Sequence, residues 1–234
     1  MKIHDLSMPI TADHFRWPAP RTETGDWTDA APFHVTRLDL SCHSFTHVDA
    51  VRHMARDGGT IDETPLETVA AQCFVADLGP VAPEAALDAA RIDAALAGHD
   101  GEPIVLLRSG WDRARDWRTP DYWRDAPFVD RSGAERLARA GMGAVAFDFP
   151  QDWTIRQSLD GIVAPIREHV THDVLLRRGV TLIEYLVGAH AIAARRVFLS
   201  ALPLKVAGAD GGPARVVAFE GGPFSEPDRE GRLP

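Results

Sequence analysis

A segment of eleven residues near the start of the chain combines three histidines with one aspartate at short spacing. The histidines are His43, His47 and His53, and the carboxylate is Asp49. Imidazole and carboxylate groups are ligands that zinc and manganese accept in proteins. The segment therefore predicts a site for a divalent metal ion.

The numbering of these four residues favours an extended backbone over a helix. All four numbers are odd, and alternate side chains of a strand point to the same face. A helix would bring the first two histidines together but would turn the aspartate about 200° away, at about 100° per residue. Apolar residues at the preceding even positions leave the odd face for polar chemistry, and they are Leu38, Leu40 and Cys42. We therefore expect the metal site at the end of a strand.

Further candidate ligands lie in the second half of the chain. His172 lies within the segment 168–173, and Glu184 ends the apolar run 180–183. A buried carboxylate is costly unless a cation compensates its charge. On the residues alone, a Glu184 that faces water and a His172 without a role at a site remain open alternatives.

The composition excludes several classes of partner. The chain has 234 residues, 45% of them hydrophobic, and a formal net charge of −9. Nucleic acids and anionic membranes reward a basic face, which predicts no nucleic acid and no membrane as partner. No stretch approaches the ~18 apolar residues of a membrane span. The two cysteines are too few for a disulfide framework. The N-terminus has no charged region followed by an apolar run, so we expect a cytoplasmic protein.

Familiar nucleotide and serine-hydrolase motifs are absent from the sequence. The chain has no G-x-x-x-x-G-K-[ST], no G-x-G-x-x-G and no G-x-S-x-G. Phosphate cradles and a serine nucleophile elbow are therefore not expected.

Apolar runs bounded by glycine, proline and aspartate predict seven strands, near 33–42, 73–78, 103–108, 143–148, 180–184, 196–200 and 214–219. Helical patterns cover 83–97, a segment from a capping box at 132–135 to Gly141, and a segment from a cap at Thr171 to Gly179. Residues 1–32, with many prolines from 8 onward, are expected to form a loop-rich arm. Because strands and helices alternate only in part, we predict one domain over 1–234 with a mixed α/β (α+β) fold.

The histidine segment resembles the signature H-x-G-T-H-x-D-x-P-x-H of the cyclase-type metal-dependent hydrolases, the family that includes bacterial kynurenine formamidase and isatin hydrolase. In this chain it reads His43-Ser44-Phe45-Thr46-His47-Val48-Asp49-Ala50-Val51-Arg52-His53. Other matching segments follow along nearly the whole chain: Asp5-Leu6-Ser7, Trp17-Pro18, Gly59-Thr60-Ile61-Asp62, Pro65-Leu66-Glu67, Arg108-Ser109-Gly110-Trp111, Asp148 and Leu202-Pro203-Leu204.

The resemblance implies a fold, an assembly and a set of metal ligands. The fold is a swivelling β/β/α-type single domain with a central β-sheet or barrel-like core, and the assembly is a homodimer or higher homo-oligomer. His43, His47 and Asp49 would bind one metal ion. Asp49 would also reach a second ion held by His172, with Glu184 near both. One or two Zn²⁺ or Mn²⁺ ions per chain are the implied cofactors.

The resemblance also implies an acid–base residue and part of the substrate pocket. His53 would be the catalytic acid or base, and Trp17 would line the pocket. Phe45 replaces a glycine of the family pattern and either narrows the pocket or offers a ring for stacking. Val51 replaces a proline, so the turn before His53 loses a constraint on φ.

The implied reaction is hydrolysis of an amide C–N bond in a small aromatic or cyclic amide or lactam. A divalent metal ion activates water and polarises the carbonyl group in such reactions. A histidine that titrates near neutral pH can move the proton from the water to the leaving nitrogen, which is the role expected of His53.

Two other functions are compatible with the residues. His47, Asp49 and His172 are the ligand types of a 2-His-1-carboxylate Fe(II) oxygenase. That site would leave His43, His53 and Glu184 without roles. The other is a binding protein that is stabilised by a metal ion and catalyses no reaction. A purely structural site has no need of His53, which argues against the binding protein.

Overall fold

The computed structural model of the chain describes residues 1–18, 21–25, 27–28, 30 and 32–222. Its strands are β1 (Lys2–Asp5), β2 (Arg21–Thr24), β3 (Val35–Leu38), β4 (His47–Asp49), β5 (Ala70–Asp77), β6 (Ala86–Leu87), β7 (Ile104–Arg108), β8 (Phe128–Val129), β9 (Ala144–Phe147), β10 (Thr181–Glu184), β11 (Arg196–Ser200), β12 (Gly211–Pro213) and β13 (Val217–Glu220). Its α-helices are α1 (Leu66–Val69), α2 (Ala89–Ala95), α3 (Trp111–Ala114), α4 (Pro120–Arg124), α5 (Arg131–Ala138), α6 (Thr154–Ser158) and α7 (Val170–Val174). Short 3-10 helices lie at Val51–His53, Ile61–Glu63, Ile166–Glu168, Leu176–Arg178 and Ala189–Ala191.

One mixed sheet of nine strands dominates the described part of the chain, in the order β1-β13-β11-β5-β7-β9-β10-β4-β12. The central strands β5, β7, β9 and β10 are parallel to one another, and the flanking strands pair antiparallel. The carboxyl ends of the parallel strands therefore meet at one edge of the sheet. Glu184 ends β10 at that edge, and the antiparallel register places it opposite His47 of β4.

Alternating side chains of the central strands fill two apolar layers, one on each face of the sheet. In β7, Val105 and Leu107 pack into the layer that includes helices α2 and α5, whereas Ile104 and Leu106 pack into the opposite layer. All four side chains are fully buried. A parallel strand covered on both faces reads as a continuous apolar run, which is why the sequence indicates it clearly.

The structure confirms the predicted mixed α/β fold. Six of the seven predicted strands lie in the main sheet close to their expected bounds, and the last two of them, β11 and β13, are antiparallel neighbours as their direct succession suggests. The strand expected over 33–42 is shorter and lies elsewhere. It is β3, which pairs only with β2 in an exposed hairpin.

The predicted helices are present but begin at other residues. The capping box at 132–135 is wrong: the N-cap residue of α5 is Asp130, whose carboxylate accepts a hydrogen bond from the Gly133 N–H at 2.8 Å. The pattern over 83–97 yields only the helix α2, because β6 precedes it and Asp88 caps its start. Thr171 lies inside α7 rather than at its cap.

The N-terminal region contains strands that its composition did not indicate. β1 joins the edge of the main sheet beside β13, and β2 belongs to the hairpin. Residues 19, 20, 26, 29 and 31 of the expected arm lie outside the described residues. Among the described helices, none has the length and apolar character needed to traverse a bilayer.

Candidate metal centre and active site

Four of the predicted ligands meet at the carboxyl edge of the parallel strands. β4 carries His47 and Asp49, β10 ends in Glu184, and α7 carries His172. The His47 Nε2 atom lies 3.2 Å from Asp49 Oδ1 and 3.6 Å from Glu184 Oε2. The His172 Nε2 atom lies 3.3 Å from Glu184 Oε1. Strand pairing and the helix together thus bring two histidines and two carboxylates within reach of one another.

The other two histidines reach the cluster from turns. His43 lies in the turn before β4, with its Nδ1 atom 2.8 Å from Asp49 Oδ1. His53 ends a 3-10 helix, and its ring centroid lies 3.9 Å from that of His43. The predicted extended strand is therefore correct only for β4. The left-handed backbone of Phe45, with φ at 56°, interrupts it.

The expected apolar face before the histidines is also wrong. Leu38 is 48% exposed on the hairpin, and Leu40 and Cys42 are only half-buried. The alternation of apolar and polar residues in 38–43 therefore does not correspond to a strand face that packs on the core.

The buried carboxylates indicate that these residues fit a divalent cation. Asp49 is fully buried, yet its Oδ2 atom accepts no hydrogen bond from the part of the chain that the structure describes. Such an oxygen is costly in a protein interior, and a bound cation would satisfy it. Ligand atoms of His47, Asp49 and Glu184 lie within 4.8 Å of one another, and so do those of His43, Asp49 and His53. Asp49 belongs to both groups.

The charges of the cluster shift the pKa values of both carboxylates. Burial alone would raise the pKa of Asp49, but close contacts with the imidazoles of His172, His43 and His47 hold it well below its usual value. Burial and the nearby charge of Asp49 raise the pKa of Glu184, and the histidines only partly offset this. The site therefore concentrates negative charge that a cation would stabilise.

A second layer of polar groups orients the ligands. The Asp152 Oδ2 atom lies 2.7 Å from His172 Nδ1, and its Oδ1 atom accepts a hydrogen bond from the Thr171 N–H. The Gln151 amide donates a hydrogen bond to Glu184. Carboxylates in this position fix the ring orientation of metal-binding histidines. The sequence analysis missed Gln151 and Asp152, although their place just after β9, next to β10, was a usable signal.

Asp210 is another residue that the sequence analysis missed. Its Oδ2 atom lies 3.0 Å from His43 Nε2 and 3.5 Å from His53 Nδ1. It reaches the site because β12 pairs with β4, a contact between distant parts of the chain that leaves no local signal. The next residue, Gly211, permits this approach, since a Cβ there would lie 2.8 Å from His43 Cε1.

His53 differs from the expectation that it titrates near neutral pH. Burial lowers its pKa to about 4, the charge of Asp49 opposes this shift, and the charges of His43 and His172 add to it. The imidazole is therefore neutral at pH 7, in the form that can accept a proton.

Four aromatic rings form a box beside the cluster: Trp17, Phe45, Trp123 and Tyr185. The centroid of Trp17 lies 5.2 Å from Phe45, 5.0 Å from Trp123 and 5.4 Å from Tyr185. Tyr185 in turn lies 5.3 Å from the ring of His47. This aromatic box brings Trp17 and Phe45 close to the metal cluster.

Comparison with known proteins identifies the family of this chain. The Cyclase family model, described as "Putative cyclase", matches residues 4–151, which include the histidine segment. The chain is 31% identical over 229 residues to the kynurenine formamidase of Bordetella petrii, covering 94% of this chain and 98% of that protein.

Solved structures agree with the family match. A potential metal-dependent hydrolase with cyclase activity is 26% identical, with a TM-score of 0.69 over 95% of this chain and 99% of that one. Isatin hydrolase A from Labrenzia aggregata, bound to benzyl benzoate, shares the fold at 20% identity, with a TM-score of 0.76 over 93% of both chains. The chain belongs to the cyclase family.

Proposed function

We propose that the chain is a metal-dependent hydrolase that cleaves the amide C–N bond of a small aromatic substrate. The observation that carries this proposal is the buried Asp49 Oδ2 atom, which lacks a hydrogen bond among the described residues and faces His172 at 3.4 Å. The aromatic box beside it suits an aryl group. The kynurenine formamidase relative and the metal-dependent hydrolase neighbour are consistent with this reaction class.

We propose a metal position for each side chain of the donor set. His43, His47 and Asp49 would hold one ion, and Asp49, His172 and Glu184 a second. Zinc and manganese both accept this mixture of imidazole and carboxylate, and we propose one or two such ions per chain. A divalent cation held there supplies Lewis-acid chemistry, which acidifies water and polarises an amide carbonyl.

His53 is the residue that we propose moves the proton. Its neutral imidazole takes a proton from the attacking water and returns it to the nitrogen that leaves when the C–N bond breaks. Asp210 lies near its Nδ1 atom, which directs Nε2 toward the substrate. Trp17 and Phe45 hold the aromatic ring of the substrate.

The position of Glu184 favours hydrolysis over the Fe(II) oxygenase. Its carboxylate is buried and lies within 3.6 Å of both His47 and His172. A 2-His-1-carboxylate centre uses a single carboxylate and keeps the opposite positions open. Here a second carboxylate occupies the region between the two histidines.

We further propose that the whole chain, residues 1–234, acts as one domain, forms a homodimer and works in the cytoplasm. Every residue of β2 and β3 is exposed, and Val35 and Leu38 present apolar side chains there. Apolar surface of this kind is typical of an interface. Cys42 and Cys73 are free thiols, which suits a reducing compartment. Light scattering during gel filtration tests the dimer.

Two histidine variants test the catalytic proposal on an N-formylated aromatic amine, with formate release and metal per chain as readouts. We expect His53→Ala to retain metal but to lose turnover about 100-fold or more, since acid–base catalysis contributes that much. His47→Ala should lose metal and activity together. His34→Ala, on the exposed hairpin, is the control. A His53→Ala protein with full metal content and unchanged turnover would overturn the assignment.

A further inference from the structure

One arginine stands over the aromatic box. The guanidinium carbon of Arg16 lies 4.8 Å from the ring centroid of Trp123 and 5.1 Å from that of Trp17. The guanidinium group forms only one hydrogen bond with the described residues. It joins Nη1 to the carbonyl oxygen of Ile155 and is long, at 3.4 Å. No carboxylate within the described ranges forms an ion pair with it. Arg16 therefore brings a half-buried positive charge without a counter-ion to the edge of the box.

The segment that carries Arg16 is fixed by a buried histidine. His14 accepts a hydrogen bond from the Arg16 N–H through Nδ1, and its Nε2 atom lies 3.2 Å from the carbonyl oxygen of Trp117. That carbonyl also accepts a hydrogen bond from the Trp123 indole at 2.9 Å. Burial lowers the pKa of His14 and so favours its neutral form. These contacts hold Arg16 over the aromatic box and keep the Trp17 ring within the box.

A surface cavity of about 460 Å³ adjoins the box on the side of Arg16. It is lined by Phe15, Arg16, Trp17, Pro120, Arg124, Ser158 and Leu159, and so contains two arginines and no carboxylate. Arg124 is already paired with Asp160 through two contacts, of 2.7 and 3.0 Å. Arg16 alone is left to meet an anion that enters this cavity.

The acidic residues of the metal cluster repel an anion, so an anionic substrate requires a cation placed away from them. Arg16 supplies this cation over the rings of Trp17 and Trp123.

We propose that Arg16 makes the pocket selective for aromatic amides that carry a carboxylate on or near the ring. The ring would lie against the aromatic box with the amide toward the metal cluster, and the carboxylate would meet the guanidinium in the adjoining cavity. Arginine binds carboxylates through two parallel N–H donors, which gives orientation as well as affinity. This inference rests on the proposed function, since it names the substrate class of the same site.

Equilibrium binding of two matched fluorescent probes, 2-aminobenzoate and the neutral 2-aminobenzamide, tests the inference independently of turnover. We expect wild-type protein to prefer the carboxylate, and Arg16→Met, which keeps the apolar stem, to weaken its binding about 10- to 100-fold. Binding of the amide should change less than about threefold. Arg16→Lys should restore part of the preference, and Arg139→Met, at an exposed position that does not line the cavity, is the control that should leave it unchanged. The comparison is repeated with a chelator, so that binding of the carboxylate to metal does not contribute.

The outcomes separate the inference from the proposed function. A wild-type protein without preference, or an Arg16→Met protein that keeps the preference, would overturn the role of Arg16. Formate release from an N-formylated aromatic amine is measured on the same preparations. A retained binding preference without formate release supports the role of Arg16 and contradicts only the proposed reaction. Formate release without a preference contradicts only the role of Arg16.

Discussion

The His172 Nε2 atom lies 3.4 Å from the Asp49 Oδ2 atom, an oxygen that accepts no hydrogen bond in the described ranges. One residue comes from α7 and the other from β4, so the contact forms only when the helix packs against the edge of the sheet. Asp152 fixes the imidazole from behind at 2.7 Å. The fold therefore holds this pair in place, ready for a cation, by interactions that do not themselves use the ligand atoms.

Replacing Asp152 with asparagine should weaken metal binding. The carboxylate orients the ring of His172 and raises its basicity, and such partners contribute about 10- to 100-fold to metal affinity. Competition of the protein with a fluorescent chelator measures this affinity. Asp173→Asn is the matched control, because Asp173 follows His172 directly but pairs with Arg131 and Arg177 on the surface. Equal affinities of the two variants would show that Asp152 does not support the site.

Substitutions at Phe45 should separate the strain of its backbone from the packing of its ring. The ring is buried to 99% and φ is 56°, a region that glycine adopts without steric cost. Phe45→Ala loses the ring and keeps the strain, so we expect a loss of about 3–5 kcal/mol in the free energy of unfolding. Phe45→Gly should be about 1 kcal/mol more stable than the alanine variant. Urea denaturation measures the stability of both variants. A Phe45→Gly protein that is less stable than Phe45→Ala would show that the backbone at this position is not strained.

Asp210→Asn should impair catalysis through the two histidines that it contacts. The negative charge of Asp210 orients the rings of His43 and His53. Its loss should lower kcat about 10- to 100-fold, the effect seen for other residues that contact metal-binding side chains. Metal per chain and kcat are measured on the same sample. Asp57→Asn is the control, since Asp57, like Asp210, precedes two glycines in the sequence and is exposed. Unchanged kcat in Asp210→Asn would mean that the contacts have no catalytic role.

The two missed carboxylates show the limits of sequence reasoning at this site. Glu184 could be predicted because it ends an apolar run, and His47 and Asp49 because alternate residues of a strand share a face. Asp152 and Asp210 act through contacts that arise only from strand order in the sheet. The place of Asp152 just after a predicted strand was a usable signal, but no residue near Asp152 or Asp210 in the sequence identifies the histidines that they contact.

The fold also contains elements that their own sequence indicates and elements that depend on pairing with distant segments. The parallel strands were predictable, because each is buried on both faces and reads as an apolar run. The strands β1 and β12 have four and three residues and carry polar or glycine residues. Their positions depend on pairing with distant strands, so composition alone gives no signal for them.

A pH-dependent contribution to stability is expected from Glu220, far from the metal cluster. Burial raises its pKa, but hydrogen bonds from His4 and the N–H groups of Ala194 and Ala193 outweigh this and lower it below 4.5. A depressed carboxyl pKa stabilises the folded state above the unfolded pKa, and this stability is lost as the pH falls through the folded pKa. Glu220→Gln should therefore cost about 1 kcal/mol at pH 7 and progressively less below pH 4.5.

Thermal unfolding of chelated wild-type and Glu220→Gln protein between pH 7 and pH 3.5 measures this difference. Glu67→Gln, at an exposed position, serves as the control and should change stability by less than about 0.5 kcal/mol at any pH. A constant difference between wild type and Glu220→Gln across the range would contradict the linkage.

We propose above all that the protein hydrolyses an aromatic amide and needs a divalent metal ion to do so. The decisive measurement is a titration of zinc or manganese into chelated protein in the absence of oxygen. Formate release from an N-formylated aromatic amine is the readout. The account predicts no turnover in the chelated protein and activity that rises and saturates at one or two ions per chain. Turnover that is unaffected by chelation, or none at any metal loading, would contradict it.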